Sequence, residues 1–207
     1  MLHALTTYGG ELPRFEIISR GHTGTLRDVP RGEKIVFVVR DPVSRFVSAF
    51  NGRLREDRPR YHYPWREEER IAFGIFKTPD ELARALSSDD AEEQRQAEEA
   101  MGGIGHLNTP YSYWLGDEQR LLSRLPDLFF IGLQERLNQD FELLKRKLDL
   151  PPEAHLPSDE TAAHRSPPEL DRHLSEVARA NLERWYADDI AMVRLCRELA
   201  PRVNAAG

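Results

Sequence analysis

The run Lys34-Ile-Val-Phe-Val-Val39 stops at Arg40-Asp41-Pro42, and helical spacing begins with the next residue. Five consecutive apolar residues without polar alternation suit a strand buried on both faces, as in a parallel sheet beneath helices. Pro42 suits the first turn of a helix, because its φ already lies near the helical value. Val43, Phe46, Val47 and Phe50 then share one helical face. Phe15-Glu-Ile-Ile-Ser19 and Leu128-Phe-Phe-Ile-Gly132 are two further candidate strands.

Asn138 to Leu148 repeats the helical pattern, with Phe141, Leu144 and Leu148 on one face. Residues 79–101 predict a charged, peripheral helix pair broken at Ser87-Ser88-Asp89-Asp90. Residues 56–70 mix charge with aromatics and read as an insertion, so that insertion and peripheral helices together cover 56–105. A loop rich in Pro, His and Ser runs from Pro151 to Pro168, ahead of a C-terminal helical segment at 170–199. Strands alternating with helices predict an α/β fold with a small parallel sheet flanked by helices. At 207 residues and 23.9 kDa the expected organisation is a single domain over 1–207.

Composition narrows the class. With 40% hydrophobic and 31% charged residues the chain is not a disordered one. No apolar run approaches the roughly 18 residues of a membrane span. Residues 1–10 show no basic segment followed by an apolar one, so no secretory leader is expected and the expected compartment is the cytoplasm. The lone Cys196 excludes an intramolecular disulfide and a cysteine-cluster zinc site, and its apolar surroundings predict a core position. The seven histidines lack ligand spacing, so no metal is expected.

The net charge of −6 argues against a nucleic-acid partner, but it is unevenly spread. Residues 1–70 carry 13 Lys and Arg against 10 Asp and Glu; residues 71–207 carry 16 against 25. An anion site is therefore expected in the first third.

There, Arg40 stands at the carboxyl end of a predicted strand, where open parallel sheets bind ligands. A guanidinium beside a helix N-terminus suits a phosphate, and Ser48 lies about two turns along the same helix. Asp41 reads as a helix cap rather than a base. Arg45 falls on another face, as a partner for Asp41 or a cleft residue. On residue chemistry alone, a capped strand–helix turn with a local ion pair accounts for the segment equally well.

Arg40-Asp41-Pro42-x-x-Arg45-x-x-Ser48-x-Phe50 after a buried strand resembles the 3′-phosphate-binding motif of sulfotransferases, which use 3′-phosphoadenosine 5′-phosphosulfate (PAPS) as sulfuryl donor. The match is closest to the carbohydrate and membrane-type branch, including the uronyl 2-O-sulfotransferase-like group. Leu128 to Leu144 resembles that family's strand, Gly, Glu and helix signature, with Glu135 and Asp140-Phe141 in place. Leu182-Glu-Arg-Trp-Tyr-Ala-Asp-Asp-Ile190 resembles its C-terminal helix. The resemblance spans about residues 15–199 and implies a P-loop-NTPase-like sulfotransferase fold, with Arg40 and Ser48 on the 3′-phosphate of PAPS. It implies transfer without a metal to a hydroxyl of a glycan or other small acceptor.

The resemblance also makes His22 the general base, since a family histidine upstream of the motif takes the acceptor proton and imidazole suits that task near neutral pH. A plain loop histidine between Gly21 and Thr23 is the competing account. His106, in Gly105-His-Leu-Asn-Thr-Pro110, is the rival base or a loop-ordering residue. Arg165 and Ser166, in the late Pro-rich loop, stand where family members place nucleotide contacts; an exposed loop arginine is the plain alternative. Tyr61, Tyr63 and Trp65, set among arginines, serve either to stack on a sugar or to pack the insertion onto the body.

One family element is missing from the sequence. The loop that cradles the 5′-phosphosulfate, Pro-Lys-x-Gly-Thr/Ser in pattern, has no counterpart; Gly9-Gly10 and Gly21-His-Thr-Gly-Thr25 both lack the lysine. Leu2 to Gly9 reads like the helix that follows this loop. The expectation is a chain that starts one strand and one loop late, about 15–20 residues by element length. An open strand edge would then favour a homo-oligomer. The alternatives are a degenerate family member that binds nucleotide or a partner without chemistry, and a P-loop-type kinase. The kinase is disfavoured because no Gly-x-x-x-x-Gly-Lys-Ser/Thr motif is present.

Overall fold

The structure is a computed structural model and describes residues 5, 12, 15–21, 23–59, 61–157 and 170–205. Two strands, β1 (Ile35–Val39) and β2 (Leu128–Leu133), pair in parallel with Val38 opposite Gly132 and Val39 opposite Leu133. Helices make up most of the rest, so the architecture is α/β with a small parallel sheet. In chain order they are α1 (Pro42–Leu54), α2 (Glu67–Ile75), α3 (Pro79–Ala85), α4 (Ala91–Gly103), α5 (Tyr111–Leu115) and α6 (Glu118–Ser123). After β2 come α7 (Leu137–Lys147), α8 (Glu176–Trp185) and α9 (Ala187–Ala205). Among the described residues no helix is long and apolar enough to cross a membrane.

Phe15–Ser19, expected as a strand, has no regular secondary structure. Residues 15–18 nonetheless alternate between partial burial and exposure without a ladder. Phe15 and Ile17 pack against a core cluster, with the Phe15 ring 5.4 Å from that of Phe129, while Ile18 is exposed.

The chain divides into two compact units inside the expected 1–207 span. One comprises Met1–Asp41, Tyr111–Asp159 and Ala191–Gly207; the other comprises Pro42–Pro110 and Glu160–Ile190. In the first, the sheet is covered on both sides. Ile35, Val39, Ile131 and Leu133 pack with Tyr111 and Leu115 of α5 and with Val193, Cys196 and Ala200 of α9. Phe130 packs with Phe141 and Leu144 of α7, and with Leu148 and Leu150 beyond it. Phe130 and Ile131 are adjacent yet both fully buried, which a strand achieves only when both its faces are covered.

Ahead of β1 a buried guanidinium organises the turn. Arg124 donates to the carbonyls of Leu26, Val29 and Pro30 and to Asp127, whose other oxygen accepts from Gly32 N–H. Its donors thus satisfy backbone groups that the loop itself cannot pair.

In the second unit, α1 presents Val43, Phe46 and Phe50 to Phe73, Phe76, Leu82, Met101, Ile104 and Leu182. The helices between residues 67 and 103, expected at the periphery, supply much of this core. Their ends follow from local chemistry. Thr78 and Glu81 form a reciprocal capping box on α3, whose first residue is Pro79. At the other end of α3, the buried amide of Asn181 donates to the carbonyls of Ala83 and Arg84 and to Ser87.

Candidate functional site

β1 ends at Val39 and Arg40 is the first residue beyond it, half-buried in the first unit. A side chain from α5 holds its backbone. The Tyr111 hydroxyl accepts from Arg40 N–H at 2.8 Å and donates to Arg40 C=O at 2.9 Å. A phenol is both donor and acceptor, so it does for Arg40 what a neighbouring strand would do. The far side of β2 is treated in the same way. The Asn204 amide pairs with both N–H and C=O of Ile131 at 2.9 Å, and Asp140 accepts from Leu133 N–H at 2.6 Å. Side chains thus satisfy the outer edge of β2 and the residue after β1.

Ser48 lies in α1, in the second unit. It is half-buried, and among the described residues its hydroxyl makes no hydrogen bond. Arg45 donates to Asp189 at 2.6 Å, both side chains being largely buried, and its guanidinium lies 5.8 Å from the centre of the Tyr186 ring. The Tyr186 hydroxyl donates to Leu107 C=O, and burial raises its pKa above the ordinary phenol value. The second arginine of the motif is therefore engaged with the Tyr and Asp of the C-terminal signature.

The signature around β2 proves structural at one of its acidic positions. Asp140 terminates the strand through Leu133 N–H and lies 2.9 Å from Arg136 Nε. Glu135 accepts from Arg197 in an exposed pair at 3.0 Å. Such a pair contributes at most about 1 kcal/mol.

The insertion is built around a buried ion pair that sequence reading missed. Arg53 forks onto Glu69 at 2.7 and 2.6 Å and also donates to Asp57 and to Tyr63 C=O. Glu69 also accepts from Gly105 N–H and Arg66 N–H. Burial pushes the Glu69 carboxyl up, but the Arg53 fork and the two N–H groups outweigh it and hold the pKa at about 2. Of the aromatics, Trp65 lies 5.3 Å from Phe73 and donates to Arg53 C=O, so one side of it packs while 37% of it stays exposed. Tyr61 and Tyr63 remain exposed, 5.7 Å from each other. Leu54, Arg55, Glu56, Arg58, Pro59 and Trp65 line an open groove of about 560 Å³.

His106 is exposed, with a left-handed φ of 68°, directly after the Gly105 held by Glu69. His22, Arg165 and Ser166 lie outside the described residues. Cys196 is fully buried, as expected, and burial pushes its thiol up to about 12. Among the described residues no group of three His, Cys, Asp or Glu is placed to hold a metal ion.

Tyr111, Asn204 and the Arg53–Glu69 pair were invisible to motif reading. Their partners lie 71, 73 and 16 residues away, and a tyrosine, an asparagine or a charged pair at such separations carries no periodic signal. The chain matches no protein-family model, and no characterised protein or solved structure matches it.

Proposed function

We propose that the protein binds the 3′-phosphate end of PAPS and belongs with the sulfotransferases, in a P-loop-like fold. The observation that carries this reading is the local order at β1. A strand ends at Val39, a guanidinium follows at Arg40, and a proline-initiated helix carries the unspent hydroxyl of Ser48. Arginine and hydroxyl donors suit a phosphate dianion, and the excess of basic residues among the first 70 supports an anion there. Arg45 is not assigned to the ligand, because Asp189 already engages it.

In the reaction this reading assigns, the acceptor hydroxyl oxygen attacks the sulfur of PAPS in line. The bond between sulfur and the bridging phosphate oxygen breaks, and adenosine 3′,5′-bisphosphate leaves. His22 takes the hydroxyl proton, with His106 as the alternative base. The acceptor is a glycan or another small hydroxyl compound. By residue type Arg40 and Ser48 suit the 3′-phosphate end of the donor; the sequence holds no Pro-Lys pair for the 5′-phosphosulfate. The alternative reading is a nucleotide-binding protein without chemistry.

Calorimetry with adenosine 3′,5′-bisphosphate tests the assignment. Arg40→Ala is expected to lower affinity about ten- to hundredfold, as for loss of charged hydrogen bonds, while His22→Ala leaves binding intact. A wild-type protein that does not bind the bisphosphate overturns the nucleotide assignment. A sulfate-transfer assay then separates enzyme from binder.

A further inference from the structure

We infer that Tyr111 is a positioning residue for the anion site at Arg40, an inference that rests on the nucleotide reading above. Arg40 is the first residue past the β1–β2 ladder, which ends with Val39 opposite Leu133. Beyond a ladder the peptide groups lose their strand partner, and a long side chain there is aimed only as well as its backbone is held. Tyr111 supplies that hold through both backbone groups of the same residue, at 2.8 and 2.9 Å.

The ring is itself immobilised. Tyr111 opens α5, is 7% exposed, packs in the cluster that contains Val39 and Val193, and meets Trp114 edge-on at 6.1 Å. Phenylalanine would fill the same volume, so core packing does not require the hydroxyl. Its contribution is to the geometry of Arg40. Asn204 provides the contrast: it clamps Ile131 by the same two-bond device, at a residue with no proposed ligand.

The test compares affinities for adenosine 3′,5′-bisphosphate and for adenosine 5′-monophosphate, which lacks the 3′-phosphate. Wild-type protein is expected to prefer the bisphosphate. Tyr111→Phe is expected to lose about tenfold of that preference, the equivalent of two ordinary hydrogen bonds, with monophosphate affinity unchanged. Asn204→Leu is expected to keep the preference. A general loosening of the sheet would lower both affinities together and would overturn the inference. Were Tyr111→Phe not to fold, 4-aminophenylalanine at 111 keeps a donor for Arg40 C=O with a poorer acceptor, and the preference should fall part-way. Wild-type preference in either variant overturns the role of Tyr111 alone. Absence of any preference in the wild type overturns the nucleotide reading and this inference together.

Discussion

Glu69→Ala should be among the most damaging single substitutions in the second unit. Glu69 is wholly buried and Arg53 is 6% exposed, so removing the carboxylate leaves a desolvated guanidinium with Asp57 as its remaining carboxylate. Breaking a buried pair from one side costs about 3–5 kcal/mol. The N–H groups of Gly105 and Arg66 lose an acceptor as well, but they belong to the same network and do not add in full. Against a typical total of about 5–15 kcal/mol, such a loss is severe. Urea unfolding followed by circular dichroism measures it. The double variant Arg53→Met/Glu69→Leu is the control, since an apolar pair of similar size leaves no guanidinium stranded in the core, only the more exposed Asp57 without its partner, and should cost less than Glu69→Ala. The pair also has a pH signature. With a folded pKa of about 2 against an ordinary 4.5, the stabilisation from Glu69 is present above about pH 4.5 and disappears as pH falls towards 2. A Glu69→Ala cost below about 1 kcal/mol, or a double variant worse than the single, would refute the reasoning.

Two other substitutions probe the first unit. Asn204→Leu should destabilise it by about 1–3 kcal/mol, because Ile131 N–H and C=O lose their partner. It should also raise self-association through the opened β2 edge, measured by light scattering against protein concentration; an unchanged mass and unfolding midpoint would contradict this. Cys196, buried and with its thiol pushed up to about 12, should resist alkylation at pH 8 in native protein and react quickly in urea. Rapid labelling of the folded protein would show that α9 does not seal that core.

Most regular elements were legible from local pattern. The apolar runs at 35–39 and 128–132 and the helical spacing after Pro42 and Asn138 each appear within a residue or two of their predicted places. The break at Ser87–Asp90 between α3 and α4 was also readable. Phe15–Ser19 misled because a short apolar stretch records which side chains can be buried and not whether the backbone pairs. The short helices α5 and α6, five and six residues long, carry too few turns to show a period. At the candidate site, Arg40 and Ser48 stood out by motif, while Tyr111 did not.

From its sequence alone this chain determines an α/β pattern, a strand that ends at Arg40 and a helix that begins at Pro42. Those features depend on neighbours within about one turn of helix or a few strand residues. Only tertiary structure decided what completes the backbone hydrogen bonding around them. Asn204 and Asp140 satisfy the outer edge of β2, Tyr111 holds the residue after β1, and Arg53 with Glu69 anchors the loop that carries Tyr63. The physical reason is that a buried peptide group must find a partner, and the chain supplies it from whichever side chain folding brings near.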